Sequence, residues 1–171
     1  MVEVFISRIG YDASTETFVV ILKEKAGSRV LVIWIGRPEA EAIVMRIHNI
    51  KHQRPLTHDL CKNLIDGLGA RLTRVAITHV ANSTFYAELE LTMNGETKTI
   101  DARPSDGIAV ALRMEAPIFA ADELLSDPDA EAEAGESVTE PKSGEGSRLT
   151  ADELKAYLEK LRPEDFGDFK P

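Results

Sequence analysis

One short stretch of the chain carries three side-chain types that can do acid–base and ionic chemistry. Arg54, His58 and Asp59 lie within six residues, in the order Arg-Pro-Leu-Thr-His-Asp. The guanidinium can bind a phosphate, the imidazole can accept a proton, and the carboxylate can bind a divalent cation. A structural alternative is as concrete, because Thr57 is a good helix N-cap that would place Asp59 in the favourable first turn, paired with Arg54.

A second polar stretch runs from Asp101 to Asp106, in the order Asp-Ala-Arg-Pro-Ser-Asp. Alternation along a strand puts Asp101 and Arg103 on the same face. Ser105 is expected to cap a helix whose start could receive a phosphate. The structural alternative is an ion pair between Arg103 and Asp106 that anchors the strand to the helix. Both stretches therefore leave a chemical and a structural interpretation open.

The remaining histidines, the tryptophan and the cysteine are expected to be packed or solvated and not to take part in chemistry. His48 and His52 are four residues apart on a predicted helix, but the intervening Asn-Ile-Lys lacks the Glu of a zinc-protease motif, which favours a solvated helix end. His79, Trp34 and Cys61 are expected to be packed. No glycine-rich phosphate loop, nucleophile elbow or zinc-finger spacing occurs in the sequence.

The pattern of strand and helix signals along the chain predicts an α+β fold, with antiparallel strands and three main helices. These elements would position the polar residues described above. The predicted strands are Val2–Tyr11, Thr17–Lys25, Arg29–Ile35, Arg71–Val80, Thr84–Met93, Lys98–Ala102 and Ile118–Phe119, and the helices begin near Pro38, Thr57 and Pro104. Asn94-Gly95 indicates a tight hairpin, and Gly69 is expected to end the second helix.

Two strand-to-helix junctions share one residue pattern. At an offset of 67 residues, Glu39, Ala42, Ile43, Met45 and Arg46 correspond to Asp106, Ala109, Val110, Leu112 and Arg113. Each set follows a strand and opens a helix with an acidic residue. The pattern suggests a duplicated strand–helix unit.

Charge divides the chain into a neutral body and an acidic tail. Residues 1–120 carry 14 Lys and Arg against 14 Asp and Glu, whereas residues 121–171 carry 6 against 15. Tight non-specific nucleic-acid binders usually have a basic balance, so any binding to nucleic acid is expected to be weak.

Three segments are expected along the chain. Residues 1–125 form the domain, residues 126–148 form a disordered acidic linker, and residues 149–171 form a short helix and tail. Thr150-Ala151-Asp152-Glu153 is a capping box, followed by apolar residues on one helix face. A helix so short is marginal alone, so it is expected to dock on a protein partner or on its own body.

Compartment signals favour the cytoplasm. Cys61 is the single cysteine, which excludes an intrachain disulfide. The N-terminus lacks a basic region ahead of an apolar stretch, and no apolar run approaches the roughly 18 residues that span a bilayer. We therefore expect a cytoplasmic protein without membrane attachment.

Four motifs resemble those of the bifunctional nuclease family. They are Ile33-Trp34-Ile35-Gly36 followed by Glu39-Ala40; Arg54-Pro55-Leu56-Thr57-His58-Asp59-Leu60; Phe85-Tyr86-Ala87; and Asp101 to Asp106 continuing through Ala109 to Arg113, with Pro117-Ile118-Phe119. The resemblance covers about residues 2–125, and the chain end is similar to the tails of actinobacterial members. Gly107 departs from the Ala or Val expected in the family.

The resemblance implies a metal-dependent nuclease that hydrolyses phosphodiester bonds in DNA and RNA. Cleavage of both polymers requires water as the nucleophile, and a Mg²⁺ or Mn²⁺ ion held by carboxylates is the usual activator. The implied metal ligands are Asp59, Asp101 and Asp106; the implied catalytic residues are His58, Asp59 and Asp106; and the implied substrate-binding residues are Arg54, Arg103 and Ser105.

A second function stays open at this point. The same polar residues could hold two strand–helix junctions together in a non-catalytic module that docks proteins or nucleic acids. The predicted meander and hairpin have edges that nothing in the sequence covers, and exposed edges are usually paired. We therefore expect a homodimer or a larger homo-oligomer.

Overall fold

Strand-forming stretches of the described chain pair into a seven-stranded sheet. The computed structural model describes residues 1–12 and 17–127, so the predicted C-terminal helix and all but the first two residues of the predicted linker lie outside it. The strands are β1 (Val2–Asp12), β2 (Thr17–Glu24), β3 (Val30–Ile35), β4 (Arg71–Ala81), β5 (Thr84–Met93), β6 (Glu96–Ala102) and β7 (Ile118–Ala120). Their order is β3-β2-β1-β7-β4-β5-β6, and only the β4–β7 pair is parallel among these described strands.

Three helices and one short 3₁₀ turn complete the described part. The helices are α1 (Arg37–Ile47), α2 (Thr57–Gly67) and α3 (Pro104–Met114), and the 3₁₀ turn is Asp122–Leu124. The predicted α+β class is confirmed. Asn94 and Gly95 have φ of 54° and 82°, as a tight hairpin between β5 and β6 requires, and Gly69 has φ of 70° just beyond α2.

The fold contains two copies of one unit of three strands and a helix. The segments β1-β2-β3-α1 and β4-β5-β6-α3 are each an antiparallel meander followed by an 11-residue helix, and α3 begins 67 residues after α1. Arg46 Nε donates to the Leu112 carbonyl at 3.0 Å, and Arg113 Nη1 donates to the Ala42 carbonyl at 3.2 Å. These two hydrogen bonds join α1 to α3, and the repeated order of elements agrees with the predicted duplication, with a unit of three strands and a helix.

The main core lies between the sheet and the helices. Alternation along β2 directs Val20 and Leu22 into this core, while Val19 and Ile21 lie on the opposite face with Val30 in a second small buried cluster. Eight of the 11 residues of α3 are buried, whereas α2 has none. Cys61 packs against the core as predicted, so α2 contacts the body through a narrow face.

Two packing predictions are wrong. Trp34 is 53% exposed because it lies on the edge strand β3, on the sheet face away from the helices. His79 is exposed near the end of β4, after a register shift that begins at Ile77, and its ring stacks on Tyr86 at 4.5 Å. Strand alternation alone does not show which face a helix covers.

Among the described helices, none is both long enough and apolar enough to span a bilayer.

Candidate functional site

The starts of all three described helices contribute to one polar cluster. Glu39 lies in the first turn of α1, His58 is the second residue of α2, and Asp106 lies in the first turn of α3. Arg103 is the N-cap residue of α3 and lies between the acids. Glu39, His58, Arg103 and Asp106 are called the helix-start cluster below.

Asp106 is the centre of this cluster. Its Oδ1 is 3.0 Å from His58 Nε2, and its Oδ2 accepts from Arg103 Nε at 2.7 Å. Arg103 Nη1 also donates to Glu39 Oε1 at 2.8 Å. The side chain of His58 is 15% exposed and that of Arg103 is 65% exposed, so the cluster opens to solvent on the Arg103 side.

The environment keeps Asp106 ionised. Burial alone would raise the pKa of Asp106, but hydrogen bonds from Arg103 and His58 outweigh burial and hold the pKa below its ordinary value. A fixed negative charge against one imidazole nitrogen orients the ring. The arrangement can therefore support proton transfer at His58.

Asp59 makes a separate contact. Its Oδ1 accepts from Arg113 Nε at 2.6 Å, and its Oδ2 accepts from the Leu56 backbone N–H at 3.0 Å. Burial would raise the pKa of Asp59, but these hydrogen bonds outweigh it and lower the pKa. Arg113 is buried and also donates to the Ala109 carbonyl at 2.9 Å, so the pair ties α2 to α3.

The structure brings together three of the sequence-predicted site residues, namely His58, Arg103 and Asp106. Asp101 is exposed on β6, opposite Glu88 of β5. Arg54 is exposed in the loop before α2.

Both predicted N-caps are wrong. Arg103, rather than Ser105, occupies the cap of α3, because Pro104 takes the first helical position that proline favours. Ser105 is consequently buried inside the first turn, 6% exposed. Leu56, rather than Thr57, precedes α2, and the Asp59 carboxylate accepts its backbone N–H. The predicted Arg103–Asp106 ion pair is present, whereas the partner of Asp59 is Arg113 and not Arg54.

Sequence reasoning missed Glu39 and Arg113 as site residues. The 67-residue offset contained a signal for Glu39, because it matches Glu39 to Asp106, and both acids bind Arg103. Gly36 makes room for this contact, since an added Cβ there would collide with the Glu39 carboxylate. Arg113 had no local signal, because its partner Asp59 is 54 residues away.

The donor set does not fit a preformed metal site. The carboxylate oxygens of Asp59 and Asp106 already accept hydrogen bonds from Arg113 and Arg103, and Asp101 lies on the edge strand. Within residues 1–12 and 17–127, no three His, Cys, Asp or Glu side chains are grouped so that they could hold a metal ion.

Fold and site define an α+β domain of two β-β-β-α units with a histidine in contact with an aspartate at the helix starts. The family model described as the bifunctional nuclease domain matches residues 20–133, and the chain belongs to that family. The resemblance predicted from the motifs is thus confirmed.

Relatives of this chain include bacterial and plant proteins. An uncharacterized protein of Mycobacterium tuberculosis (strain ATCC 25618 / H37Rv) is 36% identical over 152 residues, which cover 86% of this chain and 87% of the relative. Bifunctional nuclease 2 of Oryza sativa subsp. japonica is 33% identical over 103 residues, 58% of this chain and 32% of the relative. Bifunctional nuclease 1 of Arabidopsis thaliana is 28% identical over 103 residues, again 58% of this chain and 32% of the relative.

Proposed function

We propose that this protein is a nuclease that hydrolyses phosphodiester bonds in DNA and RNA at the helix-start cluster. The observation that carries the proposal is the contact between His58 and Asp106, 48 residues apart in sequence, beside the exposed Arg103. Membership of the bifunctional nuclease domain family supports it, as do plant relatives named bifunctional nucleases.

His58 is the general base in this proposal. DNA has no 2′-hydroxyl, so an enzyme that cleaves both polymers must activate water. In the tautomer with its proton on Nε2, His58 donates to Asp106, and its Nδ1 accepts the proton of the attacking water. Asp106 holds the ring in this orientation.

Arg103 is the phosphate ligand. A guanidinium has five N–H groups, and the contacts with Glu39 and Asp106 use three of them. The remaining two lie on a side chain that is 65% exposed and can donate to a phosphate oxygen. Glu39 and Asp106 fix the guanidinium plane before substrate arrives, which lowers the entropic cost of binding.

The test is a cleavage assay on single-stranded DNA and on RNA. His58→Gln should lower the cleavage rate by about 10²- to 10⁴-fold, the usual contribution of a general base. His48→Gln is the matched control, because His48 is exposed at the end of α1 and should leave the rate unchanged. Equal rates for wild type and His58→Gln would trace the cleavage to a contaminant and reject the proposal.

We expect cleavage to require a divalent cation, although no residues are proposed as its ligands. Cleavage is followed in EDTA, and then after Mg²⁺ or Mn²⁺ is restored. Loss in EDTA with recovery by either ion would support the metal dependence expected from the sequence. An unchanged rate would limit the chemistry to the chain's own residues.

A second candidate function is a non-catalytic docking module, favoured by one observation. The Asp59–Arg113 ion pair joins α2 to α3, and the Asp106 carboxylate contacts His58 of α2 as well as Arg103 at the start of its own helix. On this alternative, wild type shows no cleavage, while Asp106→Asn lowers the thermal unfolding temperature. The nuclease proposal instead predicts that His58→Gln removes cleavage while the protein stays folded.

A further inference from the structure

The sheet ends in two edge strands of opposite character. The edge strand β6 carries Glu96, Lys98 and Asp101 among its seven residues, and charges at an edge discourage a further strand from pairing. The other edge strand, β3, reads Val-Leu-Val-Ile-Trp-Ile, without a charged residue or a proline. Natural proteins usually cover an apolar edge of this kind.

The outer side of β3 is bonded at one end within the described residues. Val30 exchanges two backbone hydrogen bonds with Ser126, at 2.8 and 2.9 Å. In an antiparallel ladder, the backbone groups of alternate residues point to the same side. The N–H and C=O groups of Val32 and Trp34 therefore point outward, like those of Val30, and form a template on which an extended strand can pair.

We infer that β3 pairs antiparallel with β3 of a second copy, about a two-fold axis at Ile33. The outward residues Val32 and Trp34 flank Ile33 symmetrically, so this axis places Val32 opposite the partner's Trp34 and satisfies all four outward groups with four hydrogen bonds. The two sheets become one continuous sheet. A second copy fits because an isologous contact presents the same uncharged edge twice.

Trp34 strengthens this contact. Its side chain is 53% exposed on the sheet face away from the helices, where Val32 of the same strand also lies. In the dimer each indole packs on the partner's Val32 as a cross-strand pair, which is a stabilising arrangement in antiparallel sheets. The exposure of a large aromatic side chain at this edge is thereby explained.

The test measures the mass of the full chain in solution. Sedimentation at micromolar concentration should show a dimer for the wild type. Trp34→Lys should raise the dissociation constant about 30-fold or more, the effect of removing an aromatic hot spot at the centre of an interface. Ile100→Lys is the matched control, because Ile100 is 48% exposed on the other edge strand, and this variant should remain dimeric.

Hydrogen exchange of the wild type makes the test independent of how the variants fold. The amides of Val32 and Trp34 should exchange more slowly as protein concentration rises, because only the dimer covers them. A monomeric wild type would overturn the inference, and protection that does not depend on concentration would assign the edge to the chain's own residues instead. Dissociation by Ile100→Lys but not by Trp34→Lys would move the interface to β6.

Discussion

Asp59 and Asp106 show how two acids in similar helix positions acquire different roles through their partners. Asp59 binds the buried Arg113, whereas Asp106 binds His58 and the exposed Arg103. The pKa of each carboxyl is lowered, although burial alone would raise it, because its hydrogen bonds outweigh burial. Asp59 is therefore expected to contribute mainly to stability, whereas Asp106 belongs to the proposed catalytic site.

Replacement of Asp59 should lower the free energy of unfolding by an amount that depends on pH. Asp59→Ala leaves the Arg113 guanidinium buried without its carboxylate and should lower the free energy of unfolding by about 1–3 kcal/mol at pH 7. A carboxyl whose folded pKa is depressed stabilises the fold above its ordinary value of 3.8, and this stability is lost as pH falls through the lower folded pKa. The difference between wild type and variant should thus shrink below pH 3.8.

Urea unfolding at pH 7 and at pH 3 measures this difference. Asp101→Asn changes an exposed acid on the edge strand and should follow the wild type at both pH values. If the Asp59→Ala deficit is as large at pH 3 as at pH 7, the ion pair with Arg113 does not account for it.

The sequence placed His58, Arg103 and Asp106 among the candidates because residue type and helix-start position are local properties. It did not identify Arg113 as the partner of Asp59, because that contact depends on how α2 crosses α3. Local pattern favoured Arg54 as the partner of Asp59. Contacts between helices distant in sequence were thus the part that the sequence could not supply.

At the scale of elements, most strand and helix bounds were predictable because periodicity and turn residues are short-range signals. Thr84–Met93 was predicted at both ends, and the Asn94-Gly95 turn was predicted by type. The helix caps were missed, since Pro104 competes with Ser105 for the start of α3. Burial of Trp34 was also mispredicted, because strand order determines which strand becomes an edge.

Two glycines in helices should respond to alanine in opposite directions. At Gly107, an added Cβ would lie 2.8 Å from Val75 Cγ1, and Val75 is fully buried. Overpacking costs about 1–3 kcal/mol, more than the roughly 1 kcal/mol that alanine returns in helix propensity. Gly107→Ala should therefore lower the free energy of unfolding by about 1 kcal/mol, which explains a glycine where Ala or Val was expected.

Gly67→Ala is the matched control in α2, because a Cβ at Gly67 would meet no atom within 4 Å. This change should raise the free energy of unfolding by about 0.5–1 kcal/mol. Thermal or urea unfolding measures both variants. The double variant Gly107→Ala, Val75→Ala should lose less free energy of unfolding than the two single variants lose together, because Val75→Ala removes the atom that clashes with the new Cβ. Strict additivity would contradict the packing argument.

At the scale of the whole molecule, charge is separated along the chain. Residues 128–171 carry 6 Lys and Arg against 12 Asp and Glu, whereas residues 1–120 are balanced at 14 against 14. Covalently attached negative charge repels a phosphate backbone and lowers the affinity of the protein for nucleic acid. This repulsion acts at long range and is screened by salt.

Neutralising the acidic stretch should therefore raise nucleic-acid affinity. The variant replaces five acids with their amides, at Asp129, Glu131, Glu133, Glu136 and Glu140. Affinity for single-stranded DNA should rise at low salt, and the gain should vanish near 1 M salt, where the Debye length is about 3 Å. Fluorescence anisotropy across a salt series measures it. An unchanged affinity at low salt would show that this stretch does not repel nucleic acid.

The strand β7 has a consequence for synthesis on the ribosome. It is three residues long, yet it pairs with β1 on one side and with β4 on the other. Each meander can form as it leaves the exit tunnel, because its pairings are local. The two halves of the sheet become continuous only after residues 118–120 have emerged. Until then β1 and β4 present open edges to other nascent chains, so the emergence of β7 ends the period of greatest exposure to misassociation.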